Sequence, residues 1–300
     1  MPASPASDRS QNRMPALVTV CVLALASIVI AFLGASPARV SATELLGDAR
    51  APEDAAFVVS HRGGGALAPE NTLPAVEAAI DAGFEYVEID VALTADRVPV
   101  LMHDRTVDRT TDGHGALATL TLAQVKQLDA GSWFAPSYAG TRVPTLEEFL
   151  AVLSGSGRRA LVELKGVWDA EAGAALIATL RAHDLERRVA IVSFNPRSLL
   201  ATSGASDLVY RLLIVRRLPA DIEQAVKGAD ARGILVDWRA IAKRPEIVEE
   251  LHDAGLRVLV YTLNSDVQWQ ETTAAGVDGI VTDEPARLME WQGTIARAGG

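Results

Sequence analysis

Five short segments of this chain carry polar groups at the ends of apolar runs: His61-Arg62-Gly63, Pro69-Glu70-Asn71-Thr72, Glu88-Ile89-Asp90, His103-Asp104 and Glu163-Leu164-Lys165. Glu88 and Asp90 stand two residues apart, so on a strand both side chains point to one face. In an apolar interior one carboxylate is costly and two repel, and a bound cation removes both problems. Glu163 and Lys165 repeat the spacing, adding a third oxygen ligand and an ammonium. Hard oxygen donors without thiolate favour Mg²⁺ or Ca²⁺ over zinc. The competing reading is a metal-free buried ion pair of Lys165 with Glu88 or Asp90. Two imidazoles flanking such a cluster can trade protons with attacking and leaving oxygens. The whole set suits cleavage of a phosphodiester at a divalent metal, with Arg62 and Lys165 meeting the phosphate.

His61 and Arg62 follow Phe57-Val58-Val59, which puts them at the carboxyl end of a strand. Gly63, Gly64 and Gly65 then permit close approach of backbone to a ligand, without the spacing of a nucleotide-binding loop. The bland alternative for His61 is a core histidine bonded to a carbonyl. His114 reads as a loop residue, and His183 and His252 as solvated helix residues.

These groups need a scaffold that gathers strand ends. After a polar linker at residues 43–55, β-branched runs alternate with helix-like segments: strands are expected at Phe57–Ser60, Tyr86–Val91, Val98–Met102, Ala160–Leu164, Val189–Ser193, Leu208–Val215, Gly233–Val236, Arg257–Thr262 and Gly279–Thr282. Several are apolar throughout, as parallel strands covered on both faces are. Helices fit the gaps: one capped by Thr72 and running to Ala82, one opened by a Thr145/Glu148 capping box, then Asp169–Ala182, Pro219–Val226, Pro245–Ala254 and Asp266–Ala275. Thr94-Ala95-Asp96-Arg97 is too short for a parallel crossover, so Val98–Met102 pairs antiparallel with Tyr86–Val91 and returns His103 beside Asp90. The fold expected is a TIM-like (β/α)8 barrel occupying residues 56–300, with one extra hairpin strand and a small insertion, residues 106–141, over the barrel mouth.

Composition narrows the chemistry further. Cys21 is the only cysteine, which removes disulfide frameworks, thiol nucleophiles and zinc-thiolate centres from the folded domain. The net charge is −10; residues 1–42 contribute +2 through Arg9, Arg13 and Arg39 against Asp8, leaving −12 on the rest. Such a surface repels nucleic acid and anionic membranes, so phosphate binding must come from local cations. Residues 17–33 are apolar apart from Thr19 and Ser27 and lead to Val40-Ser41-Ala42. This reads as a secretory leader cut after Ala42, or as an uncleaved anchor giving membrane association, since about 17 residues is the lower limit for a span. Either way the domain is expected to be exported, secreted or anchored at the outer face of the cytoplasmic membrane.

The ordered series His61-Arg62-Gly63, Pro69-Glu70-Asn71-Thr72, Glu88-Ile89-Asp90-Val91, Val100-Leu101-Met102-His103-Asp104, Arg109-Thr110-Thr111, Val143-Pro144-Thr145-Leu146, Glu163-Leu164-Lys165, Ser193-Phe194 and Gly276-Val277-Asp278-Gly279-Ile280-Val281-Thr282-Asp283-Glu284-Pro285 resembles the glycerophosphodiester phosphodiesterase family, over residues 57–286. The resemblance implies a metal on Glu88, Asp90 and Glu163, His61 and His103 as acid and base, and Arg62 and Lys165 on the phosphate. It further implies a substrate pocket touching Glu70, Asn71, Phe194 and Tyr261. The implied reaction is hydrolysis of a glycerophosphodiester to glycerol 3-phosphate and an alcohol. A lysophospholipase D or sphingomyelinase-D-like activity on lipid diesters is the alternative, and a non-catalytic phosphodiester-binding barrel the remaining one. Two departures stand out: Thr94-Ala95-Asp96-Arg97 replaces a turn ending in Asp-Gly, and Tyr261 stands where the family commonly has tryptophan.

Overall fold

The computed structural model describes residues 42–298. The strands are β1 (Phe57–Ser60), β2 (Tyr86–Leu93), β3 (Pro99–Leu101), β4 (Arg159–Leu164), β5 (Val189–Ser193), β6 (Tyr210–Val215), β7 (Gly233–Asp237), β8 (Arg257–Tyr261) and β9 (Gly279–Thr282). All but β3 pair in parallel, and the ring closes through β1, which pairs with both β9 and β2. β3 lies outside the ring, antiparallel to β2, with Val91 opposite Leu101. The expected barrel and its extra strand are both present. The hairpin turn manages without glycine: Arg97 takes a left-handed φ of 64°, and its guanidinium holds Asp169 at 2.6 Å.

Alternation along each strand decides which residues fill the barrel. Phe57, Val59, Leu161, Leu212, Leu259 and Val281 form an inner cluster, while Val58, Val162, Leu213, Val258 and Ile280 face the helices. This two-residue period is the property the active end inherits.

Several expected helices form close to their expected limits, among them Ala170–Ala182 and Asp266–Ala274. The Thr145/Glu148 capping box forms, each residue's side chain accepting from the other's backbone N–H. Thr72 precedes Leu73–Asp81 but does not cap it; its hydroxyl donates to Pro69 O at 2.6 Å. The helix expected at Pro219–Val226 begins instead at Ile222, where the Asp221 side chain caps it. Helices at Pro196–Ser203, Trp238–Lys243 and Pro285–Ala298 went unanticipated, the first two being too short for a clear apolar period.

The segment read as a polar linker is partly structural. Ala42–Leu46 is helical, Leu45 and Leu46 are each 1% exposed within the inner cluster, and Tyr86 Oη donates to Leu45 O at 2.7 Å. Because Phe57 and Tyr86 begin their strands, this helix seals the amino end of the barrel. The insertion builds its own small core from Val107, Leu117, Val125 and Ala130 against Val100, Met102 and Val143. No helix among the described residues is long and apolar enough to cross a membrane; the stretch 17–33 lies outside them.

Candidate active site

Barrel closure sets the first relationship. Ser60 pairs with Thr282, so the next residues, His61 and Asp283, emerge side by side. His61 Nδ1 lies 2.6 Å from Asp283 Oδ1, and Asn264 Nδ2 donates to Asp283 Oδ2 at 2.7 Å. Burial alone would lower the His61 pKa, but Asp283 and the nearby Glu88 carboxylate outweigh it and raise the value.

The carboxylates meet for a similar reason. Asp90 and Glu163 are register partners across β2 and β4, and Glu88 shares their inward parity. Ligand oxygens of Glu88, Asp90 and Glu163 all lie within 4.8 Å of one another, and Glu88 and Asp90 are buried. Lys165 Nζ donates to Glu163 at 2.7 Å and stands 3.3 Å from Asp90, so the Lys165–Asp90 ion pair of the competing reading is present beside the cluster. Arg62 donates its backbone N–H to Glu88 at 2.9 Å and its guanidinium to Glu70 at 2.7 Å. Asn71 clamps Asp90, donating from Nδ2 at 2.8 Å and accepting the Asp90 N–H at 3.0 Å. Arg62 and Asn71 both hold left-handed backbone, φ 52° and 55°, costing about 1–2 kcal/mol each in isolation, and are tied by Asn71 N–H to Arg62 O. Gly63, which we expected to serve a ligand, instead lets this turn lie against a helix: a Cβ there would meet Val76 Cγ2 at 3.1 Å.

Charge is unevenly shared within the cluster. Burial, then the Asp90 charge, pushes the Glu88 pKa up to about 8. The Glu163 value is raised by the same two causes. Asp90 is lowered despite its burial, because Lys165 and Arg62 face it.

His103 arrives on the return arm of the hairpin. Its Nδ1 lies 2.6 Å from Asp104, which accepts from Arg109 Nε at 2.7 Å; Arg109 also donates twice to Glu70, at 2.8 and 2.7 Å. Arg109 therefore ties the His103 loop to the Glu70 loop. Burial lowers the His103 pKa, with Lys165 and Arg62 acting in the same sense against Asp90 and Asp104. Asp104 is held down to about 2, chiefly by the Arg109 hydrogen bond.

His61, Arg62, His103, Glu163, Lys165, Phe194 and Tyr261 line one pocket of about 610 Å³ at the carboxyl ends of the strands, with Phe194 and Tyr261 edge to face at 6.1 Å. Glu70 and Asn71, expected in its wall, lie behind it, bonded to Arg62, Arg109 and Asp90. The sequence reading missed Asp283, Asn264, Arg109, Arg105 and Arg216, the last two of which line the pocket. Asp283 directly follows β9, a strand-end position that could have marked it. The remaining histidines differ from expectation in part. His114 is an exposed loop residue, whereas His252 is partly buried on Asp278 at 2.9 Å and His183 partly covered on Glu147 at 2.8 Å.

Residues 61–287 match the model of the glycerophosphoryl diester phosphodiesterase family. The glycerophosphodiester phosphodiesterase of Caldanaerobacter subterraneus is 34% identical over 81% of this chain and 99% of its own length. Glycerophosphodiester phosphodiesterase 1 of Bos taurus is 42% identical over 71% and 73% of the two chains. Among solved structures, an Oleispira antarctica phosphodiesterase in complex with the product sn-glycerol-3-phosphate is 32% identical, with a TM-score of 0.74, over 78% of this chain and 96% of that one. A glycerophosphodiester phosphodiesterase from Agrobacterium tumefaciens gives 31% identity and a TM-score of 0.68, over 78% and 99%. With this barrel and this clustering of strand-end residues, the chain belongs to the glycerophosphoryl diester phosphodiesterase family, a family of enzymes.

Proposed function

We propose that the enzyme hydrolyses glycerophosphodiesters to glycerol 3-phosphate and an alcohol, using a divalent cation, with Glu88, Asp90 and Glu163 as its ligands and His61 and His103 as acid and base. The observation that carries this is a cluster of three carboxylates, of which Glu163 lines the same pocket as two carboxylate-backed imidazoles. The three clustered acids outnumber the two cations, Lys165 and Arg62, that face Asp90, and an all-oxygen donor set suits Mg²⁺ or Ca²⁺. When bound, the cation supplies positive charge to the phosphoryl oxygens.

The chain's own residues do the rest. Arg62 and Lys165 hold the phosphate, both standing against the Asp90 carboxylate, Arg62 Nε at 3.5 Å and Lys165 Nζ at 3.3 Å. One histidine takes the proton of the neighbouring glycerol hydroxyl as it attacks phosphorus, and the other protonates the departing alcohol oxygen. Water then opens the cyclic phosphate, the two roles reversing. Asp283 and Asp104 fix the ring orientations. Turnover of glycerophosphodiesters with and without chelator, alongside His61→Ala and Glu88→Ala, tests this reading. Full activity in chelator-stripped enzyme removes the cation from it.

A second reading, action on lysophospholipids in the manner of a lysophospholipase D or sphingomyelinase D, is favoured by one feature. A groove of about 440 Å³ lined by Leu93, Leu117 and Val167 meets the pocket at His103, Arg105 and Lys165, and offers an acyl chain a route out. Relative turnover of glycerophosphocholine and lysophosphatidylcholine separates the two. The apolar run at 17–33, behind Arg9 and Arg13, supports export, either secreted or anchored. The mass of the exported protein tells which.

A further inference from the structure

Resting on the proposed hydrolysis, we propose that the preferred substrate carries a second anionic group beyond its reacting phosphodiester, received by Arg216 and Arg105, and that substrates bearing a quaternary ammonium are disfavoured. On a chain of net charge −10, the pocket is lined by Arg62, Arg105, Lys165 and Arg216 against Glu163. Arg62 and Lys165 are neutralised by Glu70, Asp90 and Glu163 and are assigned to the reacting phosphate. Among the described residues, neither Arg105 nor Arg216 has a carboxylate ion-pair partner. Asp237, at the end of β7, is turned to Arg239, accepting its backbone N–H at 3.0 Å and lying 3.4 Å from its guanidinium.

Position and repulsion agree. Arg216 continues the inward parity of Leu212 and Ile214, just as Phe194 continues that of Ala190 and Val192. An edge-to-face Phe194–Tyr261 pair would ordinarily form half a cage for a quaternary ammonium. Here the Arg216 guanidinium lies 5.2 Å from the Phe194 ring centroid, taking that face and repelling any cation brought to it. Arg105 lines both the pocket and the adjoining groove, so an anion meets a guanidinium whichever way its arm leaves the phosphate.

The test is kcat/KM of the full chain on four diesters: glycerophosphocholine, glycerophosphoglycerol, glycerophosphoglycerol 3-phosphate and glycerophosphoglycerate. The phosphate- or carboxylate-bearing diester is expected to exceed the choline diester by about tenfold at low ionic strength, the two anions telling a phosphate from a carboxylate preference. The advantage should shrink in high salt. Arg216→Gln and Arg105→Gln should each narrow the anion-to-choline ratio several-fold, and Arg216→Glu should reverse it, with circular dichroism confirming the folded barrel. A choline diester turned over as well as the anionic ones, or a ratio unmoved in all three variants, overturns the inference while leaving the hydrolysis standing. Failure to cleave any of the four overturns the hydrolysis itself.

Discussion

The imidazole Nδ1 of His61 lies 2.6 Å from the carboxylate of Asp283, a residue 222 positions later in the chain. The contact exists because the last strand of the ring pairs with the first, and it makes ring closure part of the geometry of the proposed active site.

Asp283→Asn keeps the size of the side chain and removes its charge. Asp283 raises the His61 pKa, so its loss should move the limb of the kcat/KM profile that reports His61 toward lower pH. The turnover rate should fall by roughly 10²-fold, the scale of a mispositioned proton donor or acceptor. The pH profiles of both enzymes decide it; an unmoved limb removes Asp283 from the account.

Cation binding should release a proton. Glu88, raised to about 8 by burial and then by Asp90, is largely protonated at neutral pH in the metal-free protein and must ionise to serve as a ligand. A carboxyl raised in the fold stabilises it below the unfolded pKa and loses that contribution as pH rises through about 8. The Tm gain on adding Mg²⁺ or Ca²⁺ should therefore grow with pH. Calorimetric titration in two buffers of different ionisation enthalpy measures the proton count, and a count of zero at pH 7 sinks the prediction.

Asn71→Ala should act through Asp90. Losing two hydrogen bonds to buried Asp90, a proposed ligand, should weaken cation affinity by about 10–100-fold and cost about 1–3 kcal/mol of stability. Rescue of turnover by excess cation is the readout, since a purely structural defect would not respond to it.

Leu45→Ala and Leu46→Ala address the opposite end of the barrel. Each should destabilise the fold by about 2–5 kcal/mol in denaturant melts, because both side chains are buried against the inner cluster. Turnover per folded molecule should persist. Wild-type stability in both variants would mean that the Ala42–Leu46 helix is not a seal.

Much of this molecule was legible because its signals are local. Apolar β-branched runs announced the strands, the four-residue turn at Thr94–Arg97 forced the antiparallel β3, and the spacing of Glu88 with Asp90 put both on one face. Leu45 and Leu46 were misread because two leucines in a polar stretch carry no periodicity; only their burial against the inner cluster shows their part in the fold. Glu70 and Asn71 lie behind the pocket rather than in its wall, since a motif gives composition and not the direction a left-handed backbone turns a side chain.

Covalent order and side-chain alternation determined which residues sit at strand ends and which of them face inward, since both are properties of a few consecutive residues. Tertiary structure alone decided the partners: Asp283 for His61, Arg109 between Asp104 and Glu70, and Arg216 over Phe194. Those pairings depend on which strand lies beside which and in what register. Cooperative closure of the ring selects that arrangement, and no single segment encodes it.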